Sequence, residues 1–200
     1  VDILSKQAGV LSIFRKFGVR LVDKMNGGEL LWGEDFNDEV LCTEHGIRFI
    51  SRPHSGQKTG LFLDQRAHRK FISELSANKV VANLFSYNGG FSIYAAMNGA
   101  SRVYTVDIAP GAIEDAKALF RLNGINPSNH VFEVADAFRW TSPEQLDLLI
   151  CDPPALSRGK RSDQQASKAY RELAAHCGRQ LHPGKLLATA SCTSRLTQKA

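Results

Sequence analysis

From Lys79 onward the chain repeats one pattern: a short apolar run rich in β-branched residues, a polar or glycine-containing break, then an amphipathic segment. "KVVANLF" leads into "GGFSIYAAMNG", "RVYTVDI" into "APGAIEDAKALFRLNGI", and "LDLLICDPP" into "SDQQASKAYRELAAHCGRQL"; "HVFEVADAF" and "GKLLATASC" are further runs of the first kind. Strands apolar along their whole length are buried on both faces, which demands a parallel sheet covered by helices. Right-handed crossovers then give a doubly wound, mostly parallel α/β sheet of Rossmann-like type. Gly99 and Gly124 stand where the first two helices should close.

The chain before this pattern reads differently. "LSIFRKFGVRLVDKM" has the apolar spacing of a helix, and "EVLCTEHGIRFISR" reads as two short strands about an "HG" turn. Residues 1–56 are therefore expected to form a small α+β appendage and residues 57–200 the α/β domain. Asp64 is a cap candidate for a helix carrying Phe71 and Leu75 on one face.

Composition narrows the class. With 43% hydrophobic and 22% charged residues the chain should fold, and no run approaches the roughly 18 apolar residues of a membrane span. The N-terminus lacks the charged-then-apolar layout of a signal peptide, so the cytoplasm is the expected location. Cys42, Cys151, Cys177 and Cys192 are far apart without CxxC spacing, and the six histidines have no metal-ligand spacing, so neither a disulfide framework nor a metal is expected. A net charge of +5 is compatible with a polyanionic partner and equally with a basic enzyme of small substrates.

Doubly wound sheets bind ligands outside the carboxyl ends of their strands. The residues to inspect are "SYNGG" after the first strand, Asp107 after the second, Asp136 after the third, "DPPA" after the fourth and "SCTS" after the fifth. The glycine loop either cradles a ligand or makes a tight strand-to-helix turn. Asp107 suits a ribose hydroxyl pair or a solvated strand end. The loop lacks the third glycine of G-x-G-x-x-G, which weakens a nicotinamide reading, and no G-x-x-x-x-G-K-[ST] occurs. In "CDPPALSRGK" two prolines fix the backbone after Asp152, either to hold its carboxylate toward a planar amine or as a stiffened turn.

"EHGIRF", "SGQKTGLFLDQR", "NLFSYNGGFSIYAA", "VDIAPGAIEDAKALFRLNG", "DAF", "DPPALSRGK" and "SCTS", in this order between about Glu44 and Ser194, resemble the class I S-adenosylmethionine-dependent methyltransferases of the large-subunit ribosomal RNA 5-methylcytosine type. Asn88 stands where that family usually has threonine. The resemblance implies S-adenosylmethionine as cofactor and RNA, specifically ribosomal RNA, as substrate. It implies that Phe85, Ser86, Tyr87, Asn88 and Gly89 surround the methionine part, with Gln65 and Arg66 nearby, although Arg66 also reads as a helix-surface charge. Asp107 and Ile108 would meet the ribose side, Asp136 and Ala137 the adenine, and Asp152 the methyl-transfer centre, with Pro153, Pro154 and Lys160 toward the substrate. Arg158, Lys160, Arg161, Arg66 and Lys70 either contact RNA phosphates or form a solvated face. A homodimer is compatible with this reading and a membrane is not. In that family two further strands follow the fifth and a PUA domain precedes the appendage, so the expectation is a piece of a longer protein.

Cys192 decides the chemistry expected. Cytosine C5 must be made enamine-like before it attacks a methyl group, and a thiolate adding to C6 does this. From its own surroundings Cys192 reads as a buried thiol; the match of "SCTS" to the family makes it the nucleophile, with Cys42, Cys151 and Cys177 structural. A related branch that methylates guanine N7 has asparagines at this position and needs no adduct. The exocyclic-amine enzymes place an aromatic, and the dual-cysteine enzymes a cysteine, where Ala155 stands. A non-catalytic module binding S-adenosylmethionine or RNA is the remaining alternative.

Overall fold

The structure is a computed structural model and describes residues 1–17, 28–156 and 163–191. It divides into two compact units, Val1–Arg66 and Ala67–Ala200.

In the first unit, β1 (Ser12–Lys16) pairs antiparallel with β2 (Gly28–Gly33), and β3 (Val40–Glu44) with β4 (Ile47–Ser51). The "HG" turn is as expected: His45 and Gly46 both take positive φ, 50° and 83°, as a two-residue hairpin turn matching strand twist requires. The helix expected over "LSIFRKFGVRLVDKM" is not formed at Ser12–Lys16, which is strand β1. Its apolar residues Ile13 and Phe14 are consecutive, a spacing that fits either structure, and pairing with β2 decides it. The rest of that segment lies largely outside the described residues. Asp64 does not cap a helix; it lies inside a 3-10 turn, Leu63–Gln65, with Phe62 at the N-cap position.

The second unit holds the regular pattern. After α1 (Arg66–Glu74) come β5 (Val80–Leu84), α2 (Gly90–Met97), β6 (Arg102–Asp107), α3 (Pro110–Leu122), β7 (Val131–Val134), β8 (Leu146–Cys151), α4 (Asp163–Gly178) and β9 (Leu181–Thr189). The strands form one parallel sheet in the order β7-β6-β5-β8-β9, so strand order reverses between β5 and β8. Val81, Leu84, Val103, Val106, Leu148 and Leu149 are wholly buried. Each contributes about 1.5–3 kcal/mol by leaving water, which is why these runs carry no polar alternation.

Side chains divide between the faces by alternation. Ala82, Leu84, Leu149 and Cys151 cluster with Leu173 and Cys177 of α4, while α3 packs on β6 and β7. Both glycine stops act as expected. Ala100 N–H donates to Ala95 O and Gly99 N–H to Ala96 O, and Ile125 and Gly124 repeat this on Phe120 and Arg121, with Gly99 and Gly124 at positive φ. The face expected on α1 is corrected: Phe71 is 60% exposed, and Arg69, Ile72 and Ser73 turn inward.

Candidate active site

Strand register brings the carboxyl ends together on one rim. Leu84 pairs with Val106 on one side and Cys151 on the other, and Asp107 pairs with Val134. Backbone bonds continue past the strand ends: Ser86 N–H to Val106 O, Ala135 N–H to Asp107 O and Ala190 N–H to Cys151 O. The segments beginning at Phe85, Asp107, Ala135, Asp152 and Ala190 therefore leave the sheet side by side.

The loop after β5 is sharply wound. Phe85, Tyr87 and Gly89 take φ of 56°, 49° and 76°, and Gly89 N–H donates to Ser86 O at 2.9 Å. Non-glycine residues at positive φ carry a cost of about 1–2 kcal/mol each, and persist where surrounding contacts hold them. One such contact is Asp107: its Oδ2 accepts from Tyr87 N–H at 2.8 Å and its Oδ1 from Ala109 N–H at 2.9 Å. Each carboxylate oxygen keeps a further lone pair for a ribose hydroxyl. A Cβ on Gly89 would stand 2.7 Å from Ala116 Cβ, so loop and α3 meet at glycine distance.

Beyond β6 and β7 the rim also carries exposed apolar side chains. Ile108 is 70% exposed and Phe138 45% exposed, Phe138 meeting Phe85 edge-on at 5.3 Å. Ala137 is buried, and Asp136 Oδ1 accepts from Phe138 N–H at 3.0 Å. Phe138 was missed in the sequence, although it directly follows Asp136 and Ala137.

At the reversal point Asp152 is half-buried, Pro153 buried and Pro154 exposed. Leu156 N–H reaches Tyr170 Oη of α4 at 3.5 Å, a long bond tying the proline loop to that helix. A cavity of 310 Å³ opens on the α4 side of the β8 and β9 ends, bordered by Pro153, Tyr170, Arg171 and Ser191. Cys151, which also borders the cavity, and Cys177 lie buried against each other. Their hydrogen bond, with burial adding to it, pushes the Cys151 thiol well above the usual range. Burial, and then Glu44, push the half-buried Cys42 thiol up as well. Cys151 and Cys177 are thus core residues, and Cys42 is half-buried.

Gln65 and Arg66 belong to the first unit, half-buried and exposed respectively; Lys70 is exposed on α1. Cys192, Arg158, Lys160 and Arg161 lie outside the described residues. No group of acidic, histidine and cysteine side chains suited to a metal occurs among the described residues, and no described helix is long and apolar enough to cross a membrane.

The rim fits an adenosyl amino acid. Ile108 and Phe138 are exposed apolar side chains after β6 and β7, Asp107 offers acceptors, the loop closes at glycine distance, and Ser86 Oγ is buried without a hydrogen-bond partner among the described residues. Residues 21–195 match the S-adenosylmethionine-dependent methyltransferase family. The chain belongs to that family. The cofactor expected from the sequence, S-adenosylmethionine, is the family's own.

Among similar proteins, the ribosomal RNA large subunit methyltransferase of Deinococcus radiodurans is 39% identical over 196 residues, covering 95% of this chain and 48% of the relative. The ribosomal RNA large subunit methyltransferase I of Aeromonas salmonicida is 33% identical over 174 residues, covering 84% of this chain and 44% of its own length. A solved S-adenosylmethionine-dependent methyltransferase from Streptococcus mutans, itself described as putative, superposes with a TM-score of 0.78 at 30% identity, over 94% of this chain and 49% of that one. The chain spans about half the length of the curated relatives it matches.

Proposed function

We propose that this chain carries the catalytic part of a methyltransferase that acts on C5 of a cytosine in ribosomal RNA, with Cys192 as nucleophile and Asp152 as its partner. The names of the relatives support the ribosomal RNA substrate. The observation that carries the chemistry is the pairing of β8 with β9. Cys151 stands opposite Thr189 and accepts from Ala190 N–H at 3.0 Å, so the chain enters "SCTS" directly beside Asp152.

Bound S-adenosylmethionine supplies an electrophilic methyl group on sulfur. The Cys192 thiolate adds to C6 of the base, and Asp152, acting as the carboxylic acid, donates its proton to N3 where the displaced electron pair collects, taking it back as C5 accepts the methyl group. C5 then takes the methyl group, a base removes the C5 proton, and the C5–C6 double bond re-forms as the thiolate leaves. Cys151, buried in the core, is not the nucleophile in this reading.

The test is methyl transfer from labelled cofactor to ribosomal RNA, followed by identification of the modified nucleoside. The wild type should yield 5-methylcytidine, and Cys192→Ala should lose at least about a thousandfold in rate, as removal of a covalent nucleophile does. Recovery of 7-methylguanosine, or full activity in the alanine variant, would contradict the assignment. Cofactor binding without turnover would support the non-catalytic module instead.

A further inference from the structure

No step of the reaction above uses the cavity on the α4 side of the β8 and β9 ends. Cys151 and Pro153 border it, and Asp152 between them does not. A residue before a proline is held extended, as Asp152 and Pro153 both are, and successive side chains of an extended chain point apart. The Asp152 carboxylate and the cavity therefore lie on opposite sides of one strand end. At 310 Å³ the cavity stands at the lower end of the range of about 300–1,000 Å³ found for ligand sites.

Its walls divide by chemistry. Cys151, Pro153 and Leu173 are buried and apolar, and Ser167, Tyr170 and Arg171 of α4 bring donors. Tyr170 Oη accepts from Leu156 N–H at 3.5 Å, which leaves its own proton to donate. Arg171 Nη2 donates to Ser167 Oγ at 3.4 Å, and its charge meets no carboxylate among the described residues. No acidic side chain borders the cavity. An apolar wall beside a cation and neutral donors suits a base joined to a phosphate. We infer that this cavity takes a second nucleotide of the RNA substrate, the unpaired neighbour of the methylated one, with its phosphate on Arg171 and its base against Pro153 and Tyr170. Adjacent nucleotides of an unpaired strand can part to the two sides of the β8 end, which nucleotides stacked in a duplex cannot. The inference rests on the RNA methyltransferase reading above and adds to it an unpaired segment as the substrate.

The full chain is assayed on a ribosomal RNA fragment that contains the methylated base, with an abasic residue placed in turn on its 5′ and 3′ sides. One of the two should raise KM about tenfold, as loss of a stacked base does. Ser167→Phe, which fills the cavity, should raise KM for the intact fragment to a similar degree and abolish the difference between intact and abasic RNA. Arg171→Gln should weaken RNA binding about fivefold and lessen its logarithmic salt slope by about 0.7, the share of one phosphate contact. Arg179→Gln removes the same charge at an exposed position just past α4, outside the cavity, and should change binding by less than about twofold. An abasic penalty at neither side, a penalty that persists in Ser167→Phe, or equal effects of the two arginine variants overturns the inference while RNA methylation stands. A wild type that methylates no RNA removes that reading, and the inference with it. Should Ser167→Phe fail to bind S-adenosylhomocysteine and so fail to fold, the exposed Arg171→Gln is read by the same comparison with Arg179→Gln.

Discussion

At the scale of single residues, Gly89 carries the sharpest constraint. Its φ of 76° disfavours any side chain, and a Cβ would meet Ala116 Cβ at 2.7 Å. Gly89→Ala should cost about 2 kcal/mol of stability, through left-handed backbone and overpacking together, and weaken S-adenosylhomocysteine about tenfold. Urea midpoints and calorimetry measure the two effects. The glycine loop, Asp107 and Asp152 were legible in the sequence because each stands immediately after an apolar run, where chain geometry alone sends it to the rim. That Asp107 also holds Tyr87 N–H was not legible, since it needs the registered pairing of β5 with β6. The burial of Arg69 was not legible either: in sequence a charged helix residue reads as solvated, whereas here its stem lies close to Gly90.

At the scale of elements, the second unit follows its sequence closely because periodicity, glycine stops and burial all agree there. The disagreements arise where they do not. β1 was hidden by a short apolar pair that fits helix and strand alike, and the face of α1 by the assumption that Phe71 packs because it is apolar. The connection into β7 gives a pH-dependent prediction. His130 Nδ1 accepts from Val103 N–H at 3.2 Å, and burial, with Arg102 adding to it, holds its pKa below the ordinary value of about 6.5. The unfolded chain therefore binds this proton more readily than the folded one. His130 contributes stability that is fully present above pH of about 6.5 and is lost as pH falls through its lower folded-state value. Replacing it by asparagine, which keeps an acceptor and does not titrate, should flatten the fall in urea midpoint between about pH 7 and pH 5.

At the scale of the whole molecule, the second unit brings the carboxyl ends of its five strands to one rim, and the reaction class follows from the family to which the chain belongs. The choice among bases does not follow from the fold, because one rim serves several methyl acceptors; in the function proposed here it turns on Cys192. The sequence could point to that thiol only through the resemblance of "SCTS", since nothing in periodicity separates a nucleophilic cysteine from a core one. Trapping of the covalent adduct tests this most directly. RNA with 5-fluorocytidine in place of cytidine lets the thiolate add and the methyl group transfer, but offers no C5 proton to remove, so the thiolate cannot leave. With ribosomal RNA so substituted, the account predicts a denaturant-resistant protein–RNA complex that requires S-adenosylmethionine and carries its bond on the Cys192 peptide. The complex should be absent from Cys192→Ala; no complex with the active wild type, or an undiminished one in the variant, would contradict it.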